Sequence, residues 1–324
     1  MARRVVVVTG GTSGVGRATA RLFAQRGNVV AVLARGEDGL EATREELAHH
    51  GLRGLALAAD VAVADEVEAA AARIEDELGP IDVWVNNAMT TVFGDFLDIE
   101  PNEFRRATEV TYLGCVWGTR AALKRMMPRG VGTIVQVGSA LAYRGIPLQS
   151  AYCGAKHATK GFLDSVRSEL RRSAPGVHLT SVELPGLNTP QFDRSRSKLS
   201  GRPRPVPPVY QPEVAARAVV WAADHPRRQY QVGYATVATI LGSRIASGLV
   251  DRYLSRSAFA AQEEEDVPAR ATDNLFAPVA GDPGAHGRFD DEAHRTSPQA
   301  FFSRHRLLVG CGVALAAGTL ATRR

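Results

Sequence analysis

Residues 5–8 are four consecutive valines, and a glycine-rich turn separates them from a helical pattern over 15–25. Short apolar runs return at 29–33, 54–58, 81–85, 133–137 and 178–182, each separated from the next by a stretch long enough for a helix. Runs that are apolar at every position, rather than at every second one, suit strands covered on both faces. Between them, 40–49, 66–78, 103–127 and 152–172 carry helical patterns, several rich in alanine and acidic at their start. Strands alternating with helices predict an α/β fold on a parallel, doubly wound sheet.

After residue 186 the pattern changes. Arginine, serine and proline dominate 187–212, with Pro203, Pro205, Pro207 and Pro208 close together, so neither a regular helix nor a central strand is expected there. A loop of that length in a compact domain is usually a lid or a binding loop. A helix is predicted over 213–223, and "YQVGYATV" (230–237) reads as one more strand. The expected organisation is one domain over 1–260, a polar extension over 261–303 that lies on the surface or is disordered, and an apolar segment over 304–324.

Composition narrows the function. The 324 residues suffice for a large core, and lysine plus arginine exceed aspartate plus glutamate by only 5. Much of that excess lies in 194–204 and at the C-terminus, which argues against a nucleic-acid stripe. Cys115, Cys153 and Cys311 are too far apart for a Cys-x-x-Cys metal site and too few for a disulfide framework, which fits a reducing, cytoplasmic setting. The opening valine run is too short for a secretion signal. Leu307 to Ala321 is uncharged and flanked by arginines. As a helix it would rise about 22 Å against a hydrocarbon core of about 30 Å, so a membrane contact through the C-terminus is weighed against a helix packed on the domain or on a second subunit.

Two stretches carry candidate chemistry. In "VVVVTGGTSGVGRATA", Gly10, Gly14 and Gly16 stand between a strand and a helix, where the backbone can approach a pyrophosphate at the helix N-terminus. The second strand ends in "AVLAR", so Arg35 stands near the position where an acidic residue would grip a ribose 2′-hydroxyl. Arginine there suits a 2′-phosphate, which points to NADP(H), and Arg17 is a further candidate cation. In "SAYCGAKHATKGF", Tyr152 and Lys156 share a helix face, and Ser139 follows a predicted central strand. Hydride transfer to a carbonyl needs a proton donor and a group that polarises the oxygen, and a lysine beside a tyrosine favours its phenolate. Cys153 reads as a small buried thiol, and His286, His294, Asp290 and Asp291 as polar loop residues rather than metal ligands.

Over residues 4–189 the chain resembles the short-chain dehydrogenase/reductase family, whose fold is Rossmann-like. The stretch from Thr9 and Gly10 through Thr12, Ser13, Gly14, Val15 and Gly16 is similar to its cofactor turn. Asp60-Val61 resembles its adenine-contacting pair, and Asn86-Asn87-Ala88 its Asn-Asn-Ala-Gly motif with Met89 for the glycine. Ser139, Tyr152 and Lys156 match its catalytic set, and Pro185-Gly186 through Thr189 its nicotinamide-amide segment. The resemblance implies a second role for Lys156, on the nicotinamide ribose hydroxyls, and places Thr111 where the family has a catalytic asparagine that holds a relay water. A threonine offers one hydroxyl and a shorter reach.

The expected function is therefore an NADP(H)-dependent oxidoreductase that interconverts a carbonyl and an alcohol. Its substrate is a small molecule, lipophilic on the strength of the apolar "LAYRGIPL", with the arginines of 194–204 read as a solvated lid. A homo-oligomer, dimer or tetramer, is the expected assembly. The competing readings are a non-catalytic dinucleotide-binding sensor or scaffold and, less well supported, an epimerase or dehydratase.

Overall fold

The apolar runs become neighbouring strands. A computed structural model describes residues 3–49, 54–268 and 272–304. Strand β1 (Val5–Thr9) leads through the glycine turn into α1 (Gly14–Gln25), followed by β2 (Val29–Ala34), α2 (Glu37–His49), β3 (Leu55–Ala58), α3 (Ala64–Leu78) and β4 (Ile81–Asn86). A short β5 (Val92–Phe93) precedes α4 (Pro101–Thr108), a π-turn over Glu109–Leu113, α5 (Gly114–Arg129), β6 (Gly132–Val137), α6 (Ser150–Ser173) and β7 (Val177–Glu183). The rest comprises α7 (Gln191–Arg194), β8 (Arg196–Ser197), β9 (Gly201–Pro203), α8 (Pro212–Asp224), β10 (Gln229–Gln231), α9 (Tyr234–Ile245), α10 (Ser247–Ser257), β11 (Glu263–Pro268) and α11 (Pro298–Arg304).

The main sheet is seven-stranded, in the order β10-β7-β6-β4-β1-β2-β3, and every pairing in it is parallel. From β1 the chain works outward to β3, then returns to β4 and works outward the other way. The reversal lies between β1 and β4, the place where open α/β sheets bind ligands beyond the strands' carboxyl ends. Alternate residues of each strand supply two cores. Val6, Val8, Val83 and Val85 pack with Phe23 of α1 and Val219 of α8, while Val5, Val7, Trp84 and Ile134 pack with Ile74, Met126 and Leu163 of α3, α5 and α6.

Three expectations change. The helix expected over 103–127 is α4 and α5 joined by the π-turn, and the turn holds Thr111. In "YQVGYATV" only the opening residues are strand. Gly233, at φ 82°, ends the run, and Tyr234 begins α9, whose buried residues Thr236 and Ile240 stand one helical turn apart. The basic stretch over 194–204 is not a free solvated lid but is ion-paired and partly buried. Arg196 and Lys198 pair with the buried Glu103 at 2.7 and 3.0 Å, Arg202 with Asp193 at 3.6 Å, and Arg204 with Glu292 at 2.6 Å.

The polar extension lies on the domain surface, with β11 antiparallel to β9 and the chain beyond 272 running across the glycine turn, as detailed below. The apolar segment at 307–321 falls outside the described residues, and no helix among the described residues is long and apolar enough to cross a membrane.

Candidate functional site

The glycine turn is pressed against the end of β4. Gly10 has φ +63°, and a Cβ there would lie 2.9 Å from Ala88 Cα; a Cβ on Gly16 would lie 2.1 Å from Gly10 O. Both positions exclude side chains. Asn87 stitches the two loops, its Nδ2 donating to Thr9 O and Gly10 O at 3.0 and 3.1 Å, while the Asn87 and Ala88 amides donate to Thr9 Oγ1. Thr12, Ser13, Gly14 and Val15 open α1 and face the same cavity. At the end of β3, Asp60 pairs with Arg106 and accepts from Ala62 N, and Val61 is buried against Gly114. Arg35 follows β2 directly and donates to the carbonyls of Asn274, Leu275 and Phe276. Burial, then the neighbouring Arg106, lowers its pKa, with Asp60 acting against both.

Arg17 does not join it. Its guanidinium is buried and bonded to Glu46, Thr43, the Ala42 carbonyl and Asp282, which holds it to α2 and the extension rather than free for a ligand phosphate.

At the other end, Ser139 follows β6 and its Oγ accepts from Leu141 N at 3.1 Å. Tyr152 and Lys156 lie one turn apart on α6, with the lysine Nζ 5.5 Å from the phenol ring centroid. Burial raises the Tyr152 pKa, opposed by a hydrogen bond with Ser139, so the phenol holds its proton in the unliganded site. Lys156 is buried and donates to Val137 O at 2.9 Å. Burial lowers its pKa, while Cys115 and Glu183 act to raise it. Thr111 is buried in the π-turn, donating to Thr90 O at 2.7 Å and accepting from Thr90 N at 3.0 Å. Its single proton is therefore committed to the backbone after β4 and is not available to a relay water. Thr189 packs on Gly14, and Pro185 and Gly186 line the cavity between them and Tyr152.

Sequence reasoning missed Glu183, the last residue of β7. Its carboxylate lies against Gly138, where a Cβ would meet Oε2 at 2.1 Å. Burial pushes its pKa up to about 7, opposed by hydrogen bonds from Ser181 and the Ser139 backbone and by the charge of Lys156. A carboxylate in the otherwise apolar "SVELPG" was a readable signal. Cys153 is buried, with its thiol raised to about 11 by that burial. His286 pairs with Glu213, and Asp290 with Asn188 and Gln211; no metal-binding cluster occurs among the described residues.

Both ends open into one cavity of about 750 Å³, which runs from Gly10 and Arg35 past Ala88 and Met89 to Ser139 and Tyr152. Its size suits a cofactor-sized ligand. A second concavity, against β10 and α11, carries none of these groups. The glycine cradle, the α1 N-terminus and the unneutralised Arg35 fit a dinucleotide at one end, and a protonated phenol beside a buried lysine fits proton transfer at the other.

A short chain dehydrogenase family model matches residues 4–200. An uncharacterized oxidoreductase, YxnA of Bacillus subtilis, is 33% identical over 264 residues, covering 81% of this chain and 74% of that one. The 3-dehydrosphinganine reductase of Danio rerio is 31% identical over 66% of this chain and 67% of its own length. Among solved structures, a variant of actinorhodin polyketide ketoreductase with NADPH superposes with a TM-score of 0.63 at 29% identity, covering 71% of this chain and 95% of that one.

Proposed function

The chain belongs to the short-chain dehydrogenase family, and from that premise we propose that it is an NADP(H)-dependent oxidoreductase interconverting a carbonyl and an alcohol on a lipophilic small molecule. The observation that carries the reading is the placement of Ser139, Tyr152 and Lys156 at the carboxyl ends of the sheet, in one cavity with the Gly10 to Gly16 turn. Gly14, Val15 and the turn would hold the pyrophosphate, Arg35 the 2′-phosphate, and Lys156 the nicotinamide ribose. When bound, the nicotinamide supplies or accepts the hydride.

The chain's own residues handle the proton. Ser139 Oγ and Tyr152 Oη act as donors to the carbonyl oxygen, and charge developing on that oxygen draws the phenolic proton across. The phenolate left on Tyr152 is stabilised by the Lys156 ammonium behind it, in a buried setting where that attraction is weakly screened. The oxidation direction reverses each step. Leu141, Ile146, Phe192, Val250 and Leu254 give the cavity beyond Tyr152 an apolar lining, which favours a lipophilic substrate. Supporting cases are the NADPH complex of the ketoreductase and the 3-dehydrosphinganine reductase among the relatives. The test is a panel of hydrophobic and polar carbonyls assayed by NADPH absorbance. Oxidation of NADPH with hydrophobic ketones supports the reading, and no turnover across the panel, in either direction, counts against it.

A further inference from the structure

The family model ends at residue 200, yet part of the cofactor end of the cavity is made by residues far beyond it. We propose that residues 272–284 are a cofactor-binding element: they roof the adenosine end of the cavity, and three of their main-chain carbonyls orient Arg35 toward the ribose 2′-phosphate. This rests on the NADP(H) reading above.

Arg35 differs from its basic neighbours in what it bonds. Arg106 shares the Leu275 carbonyl, donating to it at 3.1 Å, but it is paired with Asp60, and Arg17 is paired with Glu46, so each of those charges is neutralised by a carboxylate. The hydrogen-bond partners of Arg35 are the carbonyl oxygens of Asn274, Leu275 at 3.3 Å and Phe276 at 3.1 Å, all neutral. They fix the guanidinium plane while leaving its full positive charge, and three bonds out of about five N–H donors leave two for a phosphate. An arginine fixed before binding loses less side-chain freedom when the phosphate arrives.

The segment that supplies those carbonyls is itself tied down. The Leu275 side chain is fully buried with Val92, Ile99, Ala107 and Ala151. Asp273 accepts from Leu275 N at 3.0 Å and pairs with Arg196, and Asn274 N donates to Arg194 O. Further along, Gly281 N donates to Asp38 at 2.6 Å, and Gly284 O accepts from Gly14 N at 3.0 Å. Pro278 and Pro283 sit against Gly36 and Gly39, where an added Cβ would lie 3.2 Å from each proline. Asn274, Pro278, Val279 and Gly281 line the cavity that also contains Gly10 and Tyr152, so the segment roofs it and does not fill it.

The experiment uses adenosine 2′,5′-bisphosphate and adenosine 5′-monophosphate (AMP) as probes, which differ only in the 2′-phosphate. Leu275→Ala withdraws the buried anchor, and Asp273→Ala, a milder change, removes the cap on the Leu275 amide. Each full-length variant is first checked for folding by circular dichroism. In both, affinity for the bisphosphate should fall about tenfold or more, and affinity for AMP by less than about threefold, since both probes lose the roof over the adenosine but only the bisphosphate also loses the oriented Arg35. In the unaltered protein, hydrogen exchange at 272–284 should slow when the bisphosphate binds. Folded variants that bind the bisphosphate as the unaltered protein does, or exchange at 272–284 that ignores it, would overturn the assignment. Should the unaltered protein bind both probes equally, the NADP(H) reading falls first and takes this inference with it.

Discussion

Ser139, Tyr152 and Lys156 come from one strand end and the next helix, whereas Arg35 at the other end of the cavity is fixed by carbonyls 239 to 241 positions further along the chain. The Tyr152 end gathers side-chain groups whose proton affinities are shifted by burial: a phenol raised, an ammonium lowered and, against Gly138, a carboxyl raised to about 7. The end at Gly10 and Arg35 presents backbone amides, main-chain carbonyls and ion pairs instead. The first should therefore respond to pH and to loss of one functional group, and the second to salt and to anything that loosens the extension.

The sharpest way to break this comparison is Tyr152→Phe. Loss of a general acid typically lowers turnover by about 10²–10⁴-fold. The phenol is not part of the phosphate cradle, so NADPH affinity measured by fluorescence should stay within about threefold. A variant that turned over at nearly the normal rate would move the proton donor elsewhere.

Glu183 gives the next largest effect, and its sign follows from the direction of its shift. The folded carboxyl has a pKa of about 7 against an ordinary 4.5, so between those values the folded protein holds a proton that the unfolded chain has released. For this group alone, stability is highest below pH 4.5, declines as pH rises through that window, and levels off above about 7. The full loss is on the order of 3 kcal/mol by linkage. Glu183→Gln should remove that decline. Urea unfolding at pH 5 and pH 8 would show the variant gaining on the unaltered protein at the higher pH; parallel curves would mean that the carboxyl does not titrate in this window.

Why these two residues differ in legibility is a matter of range. Tyr152 was readable because its partner lies one helical turn away and Ser139 one strand end away, so local spacing preserves the geometry. The sheet was readable for a similar reason: strands buried on both faces leave unbroken apolar runs such as Val5 to Val8. Glu183 stood in plain sight within an apolar run but fitted no motif. The ties of Arg17 to Glu46 and of Arg35 to Asn274 depend on where α2 and the extension come to rest, and neither residue's immediate neighbours encode that. The π-turn that turns Thr111 toward Thr90 likewise left no mark in the helical pattern read over 103–127.

At the adenosine end, Arg35→Ala should weaken NADPH binding by about tenfold while leaving NADH within about twofold, the scale of one charge-assisted contact. Titration of both cofactors checks it. Equal losses for the two would mean that Arg35 holds up the extension rather than reading a phosphate.

The smallest effect expected carries the opposite sign. Asp282 brings a carboxylate to the phosphate end: it pairs with Arg17 at 3.3 Å and accepts from Gly284 N at 3.1 Å, and Gly284 O in turn accepts from Gly14 N in the turn. An anion so close to the α1 N-terminus opposes a pyrophosphate there. Its side chain is 43% exposed, so solvent weakens the repulsion. Asp282→Asn keeps an oxygen to accept from Gly284 N and removes the charge, while Arg17 keeps Glu46. NADPH should then bind about two- to threefold more tightly at low salt, with the gain fading toward about 1 M salt as the screening length shrinks to about 3 Å. If binding weakens at every salt concentration, Asp282 matters for holding the extension in place, and the roof contributes more to affinity than its charge takes away.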